Sequence, residues 1–315
     1  MNKILITPRS FSSTSPRPLQ ILKDKGYSLN INETGKTYSG KKMKKLIKDV
    51  DGVIVGVDPI DEEVIETADK LKVISKYGVG LDNIDIKKAR EKGIKVTNTP
   101  RANTSSVADL AFTLILSTAR RIAEADRKTK AGYSGKIVGK QIWGKTLGII
   151  GLGRIGKQVA GRARGFNLKI KAFDVQKDYD FAEIMGVEYV DIDELLSESD
   201  FITIHTPLNK NTRNLLTETE FAKMKDEVCL INTARSGIIK EKDLIEALKA
   251  GQLRAVALDD FEINPGEIPE NIKNKIILTP HMGAHTEAAI ENMGITAAKN
   301  LIKVLEGETP EDLVK

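Results

Sequence analysis

The chain has 315 residues, of which 40% are hydrophobic and 30% charged, and a formal net charge of +5. These values are typical of a globular protein with about two domains. Nucleic-acid and membrane partners are disfavoured, because only 5% of the residues are aromatic and no apolar run reaches the roughly 20 residues that span a bilayer. The single cysteine, Cys229, excludes an intrachain disulfide and favours a reducing, cytoplasmic setting.

The N-terminal third alternates predicted strands and helices. Helical spacing is found at 42–49, 61–69 and 83–93, and short apolar segments typical of strands are found at 3–7, 27–31, 52–56, 72–78 and 94–99. This alternation predicts a parallel sheet with helices on both faces. The lysine cluster at 41–45 is interpreted as the solvated face of a helix rather than a nucleic-acid site.

The rest of the chain predicts a second series of the same kind. It begins with one long helical pattern at 105–132, apolar almost all round in its middle and therefore predicted to be buried or at an interface. Helices are also predicted at 241–253 and 287–307, and strands at 169–175, 186–190, 200–206, 227–233, 255–261 and 275–281.

A glycine pattern in the middle of the chain predicts a dinucleotide site. The apolar segment 147–150 leads directly into Gly151-x-Gly153-x-x-Gly156, and a helical pattern follows. The three glycines permit, in order, a tight turn, close approach of a pyrophosphate and close helix–strand packing. Asp174 ends the next strand, where a carboxylate can bind an adenosine ribose and would repel a 2′-phosphate, so NAD is favoured over NADP. A glycine-rich turn in an ordinary α/β protein is the alternative.

Two polar side chains at predicted strand ends indicate hydride-transfer chemistry. His281 follows a strand at its carboxyl end, where catalytic groups of open α/β sheets lie, although a structural histidine is the alternative. Arg235 ends another strand, and a guanidinium there can bind a carboxylate with two hydrogen bonds. No metal site is predicted, because the pair His281 and His285 lacks an evident third ligand.

Six long motifs in order resemble the D-isomer-specific 2-hydroxyacid dehydrogenase family, which includes phosphoglycerate dehydrogenases: 71–100, 144–156, 205–216, 224–237, 256–262 and 279–286. The resemblance implies an α/β fold of two doubly wound parallel-sheet domains. A Rossmann NAD-binding domain, 99–285, would be inserted in a flavodoxin-like substrate domain made of 1–98 and 286–315. It also implies NAD-linked interconversion of a D-2-hydroxy acid and a 2-keto acid, and a homodimer formed through the region 105–122 of the cofactor domain.

The resemblance carries roles to particular residues. It implies that Arg235 binds the carboxylate and carbonyl of the substrate, and that His281 is the acid/base. Further substrate-side residues would be Tyr77, Gly78, Val79, Gly80, Arg101 and Asn103. Cofactor contacts would come from Gly151, Gly153, Arg154, Ile155, Gly156, Asp174, His205, Thr206, Pro207, Thr212, Thr233, Ala234, Arg235, Asp259, His281, Gly283 and Ala284.

One departure from the family concerns the partner of the histidine. The family places there a glutamate that keeps the histidine protonated, and the matching residue here is Asn264. An amide brings no charge, so carbonyl reduction is expected to fall off at lower pH than in glutamate-bearing relatives. Glu262 or Glu267 could replace the missing carboxylate. Formate dehydrogenases of the same superfamily also resemble this chain in having an amide side chain at this position, so formate is a minor alternative substrate. An NAD(H)-sensing dimer with little turnover is the alternative function.

A second departure concerns the substrate. Phosphoglycerate dehydrogenases carry an Arg-Ser pair where this chain has Val55-Gly56. A phosphate-binding arginine is therefore missing from that position, and Arg101 could supply a different positive charge. The sequence does not specify phosphoglycerate.

Overall fold

The computed structural model describes residues 1–314, which form two compact units. One contains Met1–Asn103 and the segment from Ala284 onward, and the other contains Thr104–Gly283. The sequence-based boundaries lay at 98/99 and 285/286. Within residues 1–314, no helix is both long enough and apolar enough to cross a membrane.

The first unit is built on a five-stranded parallel sheet with the order β2-β1-β3-β4-β5. This is the flavodoxin-like order. The strands are β1 (Lys3–Ile6), β2 (Ser28–Ile31), β3 (Gly52–Val55), β4 (Val73–Lys76) and β5 (Lys95–Thr97). The helices are α1 (Arg17–Asp24), α2 (Gly40–Ile47), α3 (Glu62–Glu66), α4 (Ile86–Glu91) and, from the end of the chain, α12 (Glu287–Leu305).

Burial explains why these strands could be recognised from sequence. All four residues of β3 and of β4 are buried, as expected for parallel strands covered on both faces. The covering helix α12 contributes Met293 and Leu301 to a core that also contains Ile4 and Leu22. In α2, Met43 is buried whereas Lys41 and Lys45 are exposed, which confirms that the lysine cluster is the solvated face of a helix.

The second unit is built on a seven-stranded parallel sheet with the order β12-β11-β10-β9-β6-β7-β8. If β6 is counted as strand 1 of the unit, the order from β8 to β11 is 3-2-1-4-5-6, which is the Rossmann order. The strand β12 is one more strand at the edge. The strands are β6 (Thr146–Ile150), β7 (Lys169–Phe173), β8 (Val187–Tyr189), β9 (Phe201–Ile204), β10 (Val228–Asn232), β11 (Leu253–Leu258) and β12 (Ile276–Leu278). The helices are α5 (Thr104–Arg120), α6 (Ile122–Lys130), α7 (Arg154–Arg164), α8 (Tyr179–Met185), α9 (Ile192–Glu198), α10 (Glu218–Lys223) and α11 (Glu241–Ala250).

The long helix predicted at 105–132 is two helices. Arg121 separates α5 from α6 and has a φ of 54°, in the left-handed region that interrupts a right-handed helix. The apolar side chains of α5, including Phe112 and Ile115, are buried in the core of the second unit itself. The sequence predicts that this helix is buried or lies at an interface, and the structure shows that these side chains are buried.

Cys229 lies in β10 and is fully buried. Burial raises the pKa of its thiol to about 11, so the group stays protonated and unreactive at neutral pH.

Candidate active site

The glycine turn after β6 has the close packing that its sequence predicts. Gly151 has a φ of 95°, and a Cβ there would lie 2.8 Å from the carbonyl carbon of His205. A Cβ at Gly156 would overlap the carbonyl oxygen of Gly151. Neither position accepts a side chain without a backbone shift: glycine at 156 lets α7 lie against the end of β6, and glycine at 151 lets the turn pass close to the backbone of His205.

The open side of this turn is the beginning of α7. Gly153 is the N-cap residue of α7, no side chain caps the helix, and no atom lies within 4 Å of the place where its Cβ would be. The first-turn N–H groups, including those of Arg154 and Ile155, have no partner within the helix. Together with the helix dipole, they form a site suited to a pyrophosphate.

Asp174 lies at the carboxyl end of β7, next to this turn. Its Oδ2 accepts a hydrogen bond from the backbone N–H of Leu152 at 2.7 Å, and its Oδ1 accepts one from Gln176 at 2.8 Å. Each carboxylate oxygen has a second lone pair, which leaves acceptors for ribose hydroxyls. The geometry therefore fits the predicted dinucleotide.

Two buried polar atoms near this edge of the sheet have no hydrogen-bond partner in the part of the chain that the structure describes. They are Nδ1 of His205 and Oγ1 of Thr233. The other ring nitrogen of His205 lies 2.9 Å from the hydroxyl of Thr203, and burial lowers the pKa of His205 to about 3. A neutral imidazole and an unpaired hydroxyl at strand ends are suited to the amide and hydroxyl groups of a bound cofactor.

The loop after His205 is held by one hydroxyl. Thr212 Oγ1 donates to the carbonyl oxygen of Pro207 at 2.6 Å and accepts from the N–H of Asn209 at 2.8 Å. The segment that contains Thr206 and Pro207 is thereby fixed from within its own loop.

Arg235 is presented by a turn that sequence reasoning missed. Asn232, the fully buried last residue of β10, accepts from the N–H of Ala234 at 2.9 Å and donates to the carbonyl oxygen of Arg235 at 2.7 Å. An asparagine at a strand end is a usual side chain for such a turn, so residue type gave a signal.

His281 follows β12 in a strained conformation. Its φ is 52°, which is uncommon for a residue with a side chain. Asp259 holds the loop by accepting from the hydroxyl of Thr279 at 2.6 Å and from the N–H groups of Met282 and Gly283 at 2.8 and 2.9 Å. Asp259, predicted as a cofactor contact, thus has a direct role in shaping the His281 loop, and its cofactor contact stays a prediction.

Asp260 connects the Arg235 turn with His281. Its Oδ1 lies 3.8 Å from Nδ1 of His281, and its Oδ2 accepts from the N–H of Ser236 at 3.3 Å. The strands β10, β11 and β12 are parallel neighbours, so their carboxyl ends meet at one edge. Asp260 therefore contacts both the backbone of Ser236, the residue after Arg235, and the imidazole of His281, a role that sequence reasoning did not identify.

The predicted substrate residues lie in the first unit. Tyr77 is buried, with its hydroxyl donating to the carbonyl oxygen of Ile290 at 3.1 Å, and Gly78 has a φ of 139°. Oδ1 of the buried Asn103 has no partner among residues 1–314, as expected of a group that meets a ligand. Val79 and Gly80 are partly exposed after Gly78, and Ala284 packs against the core of this unit.

Arg101 is engaged differently from its predicted role. Its guanidinium lies 3.3 Å from a carboxylate oxygen of Glu311 and 3.1 Å from one of Asp312. Two carboxylates offset its charge, so Arg101 offers little net attraction to an anionic substrate.

Comparison with known proteins shows the family of the chain. Residues 112–283 match the family described as D-isomer specific 2-hydroxyacid dehydrogenase, NAD binding domain. A glyoxylate reductase of Thermococcus litoralis is 42% identical over 302 residues, which cover 92% of this chain and 91% of that protein. The chain belongs to the D-isomer specific 2-hydroxyacid dehydrogenase family.

Two other relatives show the range of this dehydrogenase family. A D-3-phosphoglycerate dehydrogenase of Methanocaldococcus jannaschii is 46% identical over 273 residues, 85% of this chain but only 52% of that protein. The crystal structure of a D-lactate dehydrogenase from Aquifex aeolicus, complexed with NAD and lactic acid, has a TM-score of 0.82 and 32% identity. The aligned parts cover 97% of this chain and 96% of that chain.

The protein is accordingly an NAD-dependent oxidoreductase that interconverts a 2-hydroxy acid and a 2-keto acid. The two-domain α/β fold predicted from sequence is confirmed. Nothing in the site or the relatives favours the alternative of an NAD(H) sensor without turnover.

Asn264 distinguishes this dehydrogenase from the pattern expected of its family. The residue is exposed, and its amide caps a short 3₁₀ turn, Pro265–Glu267, by accepting from the N–H of Gly266 at 3.1 Å. Its Nδ2 donates to Glu267 at 2.9 Å. Of the proposed replacements, Glu267 is thus bound to Asn264, and Glu262 lies 3.5 Å from the hydroxyl of Ser236. The carboxylate that the structure places beside His281 is Asp260.

Proposed function

We propose that this dehydrogenase reduces a small, unphosphorylated 2-keto acid of the glyoxylate type with NADH. The observation that supports the proposal is that Asp260 contacts the N–H of Ser236, directly after Arg235, and also His281, at the sheet edge that carries the dinucleotide turn. The glyoxylate reductase of Thermococcus litoralis, similar over 92% of this chain, supports the substrate class.

Each residue would act on a defined part of the substrate. NADH, held by the turn 151–156 and by Asp174, would supply the hydride. The Arg235 guanidinium binds the carboxylate and orients the carbonyl. Because Nδ1 of His281 faces Asp260, Nε2 is the atom that gives its proton to the carbonyl oxygen and takes it back in the reverse direction.

The first unit argues for an unphosphorylated substrate. Val55 is fully buried and Gly56 has no side chain, so neither supplies a cationic side chain for a phosphate. The ammonium of Lys76 lies beside them but donates to the carbonyl oxygen of Gly56 and to Asn83, each at 2.6 Å. With Arg101 also bound to carboxylates, we infer that a second anionic group on the substrate would be poorly accommodated.

A substrate panel tests this proposal. NADH oxidation is measured with glyoxylate, hydroxypyruvate, pyruvate and 3-phosphohydroxypyruvate, and NAD reduction with formate. We expect kcat/KM to be highest for glyoxylate or hydroxypyruvate and at least about tenfold lower for the phosphorylated acid, which would lack a bidentate cationic partner. Highest turnover with the phosphorylated acid or with formate would overturn the substrate assignment.

Two variants test the residue roles in the same assay. Arg235→Ala and His281→Ala should each lower kcat/KM by about a hundredfold or more, since each removes a group that acts on the reacting atoms. NADH binding, measured by fluorescence, is the control and should survive in both variants, because the turn 151–156 and Asp174 are unchanged. Wild-type rates in either variant would refute the assigned role.

We also propose that the enzyme is a homodimer formed through the cofactor unit. Most apolar residues of α5 are covered by their own core, Leu110 and Leu116 only partly, and the following segment, 122–143, exposes large apolar side chains. These are Ile122, Tyr133, Val138 and Trp143. Exposed apolar residues grouped in one segment are typical of a subunit interface, and a second copy is the partner that the family resemblance implies. The cytoplasmic location stays a prediction.

A further inference from the structure

We propose that Asp260 is a positioning residue that supplies the negative charge facing His281, a charge that Asn264 cannot supply. The inference rests on the proposed acid/base role of His281. The carboxylate that faces His281 would then come from the residue directly after Asp259, not from the following loop that contains Asn264.

The geometry of Asp260 is that of a fixed partner. Its Oδ2 is bound to the backbone N–H of Ser236, while Oδ1 lies 3.8 Å from Nδ1 of His281. Its side chain is 28% exposed and that of His281 is 53% exposed, so the carboxylate is the more sheltered of the two groups. A charge held by backbone on one side and lying within ion-pair distance of an imidazole on the other is placed to orient the ring.

Other charged groups near Asp260 come from the start of α11, from the turn before it and from Glu262. Glu241, at the start of α11, accepts the N–H of Glu262 through both carboxylate oxygens, at 2.9 and 3.0 Å. Burial, together with the negative charges of Glu262 and Asp260, raises the pKa of Glu241. The turn before α11 adds the cation Arg235 next to Ser236. Among these groups, Asp260 is the carboxylate with a direct contact to His281, so its removal is the decisive change.

The direction of the effect follows from charge alone. A carboxylate beside an imidazole stabilises the imidazolium, so removing the charge lowers the pH at which His281 loses its proton. Reduction of a keto acid needs the protonated ring, so the rate of reduction, which falls as the pH rises, would begin to fall at a lower pH than in wild type. Oxidation of a hydroxy acid needs the neutral ring and would gain rate on the acidic side.

An NMR titration tests the proposal without relying on turnover. The chain has three histidines, so their ring signals can be assigned with His281→Gln and His285→Gln variants. In Asp260→Asn, which keeps an oxygen for the Ser236 N–H, the titration midpoint of His281 should fall, because the carboxylate charge 3.8 Å from the ring is lost. Glu267→Gln, a change in the exposed loop that contains Asn264, is the control and should leave the midpoint unchanged.

Kinetics with the best keto acid gives the second measurement. In Asp260→Asn, kcat/KM for reduction should fall about fivefold at pH values above the midpoint and remain near wild type well below it, while that for oxidation rises on the acidic side. An unchanged His281 titration, or an equal loss at every pH in both directions, would overturn the proposal and leave Asp260 as a structural contact of Ser236. If no keto acid is reduced at all, the titration still decides the role of Asp260.

Discussion

His281 shows how single residues of this site are held against their own preference. A left-handed conformation costs about 1 kcal/mol or more for a residue with a side chain. The cost is offset by three hydrogen bonds that Asp259 accepts from the same loop. Residue type and position at a strand end predicted His281 and Arg235. They could not predict Asp260 or the strained loop, because both depend on contacts that strand pairing brings together.

His205, a half-buried residue whose Nδ1 is fully buried, predicts a loss of stability in acid. Its pKa is about 3 in the folded protein and about 6.5 in an unfolded chain, so protons bind preferentially to the unfolded state between these values. The contribution of this residue to the free energy of unfolding is fully present above pH 6.5. It is lost as the pH falls, by at most about 1.4 kcal/mol per pH unit. The variant His205→Gln should therefore lose less stability than wild type between about pH 6 and 4.

Denaturant unfolding at several pH values measures this effect. His285→Gln is a suitable control because His285 is exposed, and its pH dependence should match wild type. Parallel curves for wild type and His205→Gln would show that burial of His205 does not contribute to acid sensitivity.

At the scale of elements, the glycines of the β6–α7 turn have two different roles: Gly156 permits helix–strand packing, and Gly153 permits close approach of the ligand. A Cβ at Gly156 overlaps the backbone of Gly151, so Gly156→Ala should lower the free energy of unfolding by about 1–3 kcal/mol and weaken NADH binding. A Cβ at Gly153 meets nothing within 4 Å, and its φ of −73° suits alanine. Gly153→Ala should therefore fold normally yet bind NADH at least about tenfold more weakly, because the methyl group blocks the pyrophosphate.

Thermal unfolding and NADH fluorescence titration measure the two effects separately. A Gly153→Ala variant with wild-type affinity would show that no phosphate approaches this turn. Equal destabilisation by both alanines would contradict the assignment of Gly156 to packing.

The elements themselves were predictable to different extents. Strands such as β3 and β4 were found because burial on both faces requires continuous apolar runs. Helices α1, α8, α9 and α10 were missed, although α2, α3 and α4 are equally short and were predicted, so length alone does not decide whether a helix is recognised. N-cap residues are a better sequence signal for these short helices than apolar spacing, because Asp178 and Asp191 cap α8 and α9 through their side chains.

The break between α5 and α6 had no recognisable sequence signal. Neither glycine nor proline marks it, and Arg121 is the residue that takes the left-handed conformation. Its Nε donates to the buried carboxylate of Glu124 at 2.6 Å, and Lys128 lies 2.8 Å from the other oxygen. These ion pairs, formed only after α6 has turned, stabilise the break.

At the scale of the whole molecule, the exposed segment 122–143 predicts the oligomeric state. Val138 is 75% exposed and Trp143 58% exposed, so Val138→Glu with Trp143→Glu should leave the fold intact but place two charges in the subunit interface. We expect light scattering to report a dimer for wild type and a monomer for this variant at micromolar concentration.

A change elsewhere on the same unit is the control. Ile184 is 73% exposed on α8, and Ile184→Glu should remain dimeric. A monomeric wild type, or dissociation by both changes alike, would refute an interface at 122–143.

The discontinuity of the first unit constrains how the protein is made. Helix α12, whose Met293 and Leu301 complete the core around Ile4, is synthesised after the whole of Thr104–Gly283. The order usual during translation, with the N-terminal part finished first, is therefore not open to this chain. The nucleotide-binding half can reach its native state on the ribosome while the first hundred or so residues wait for the last helix to emerge.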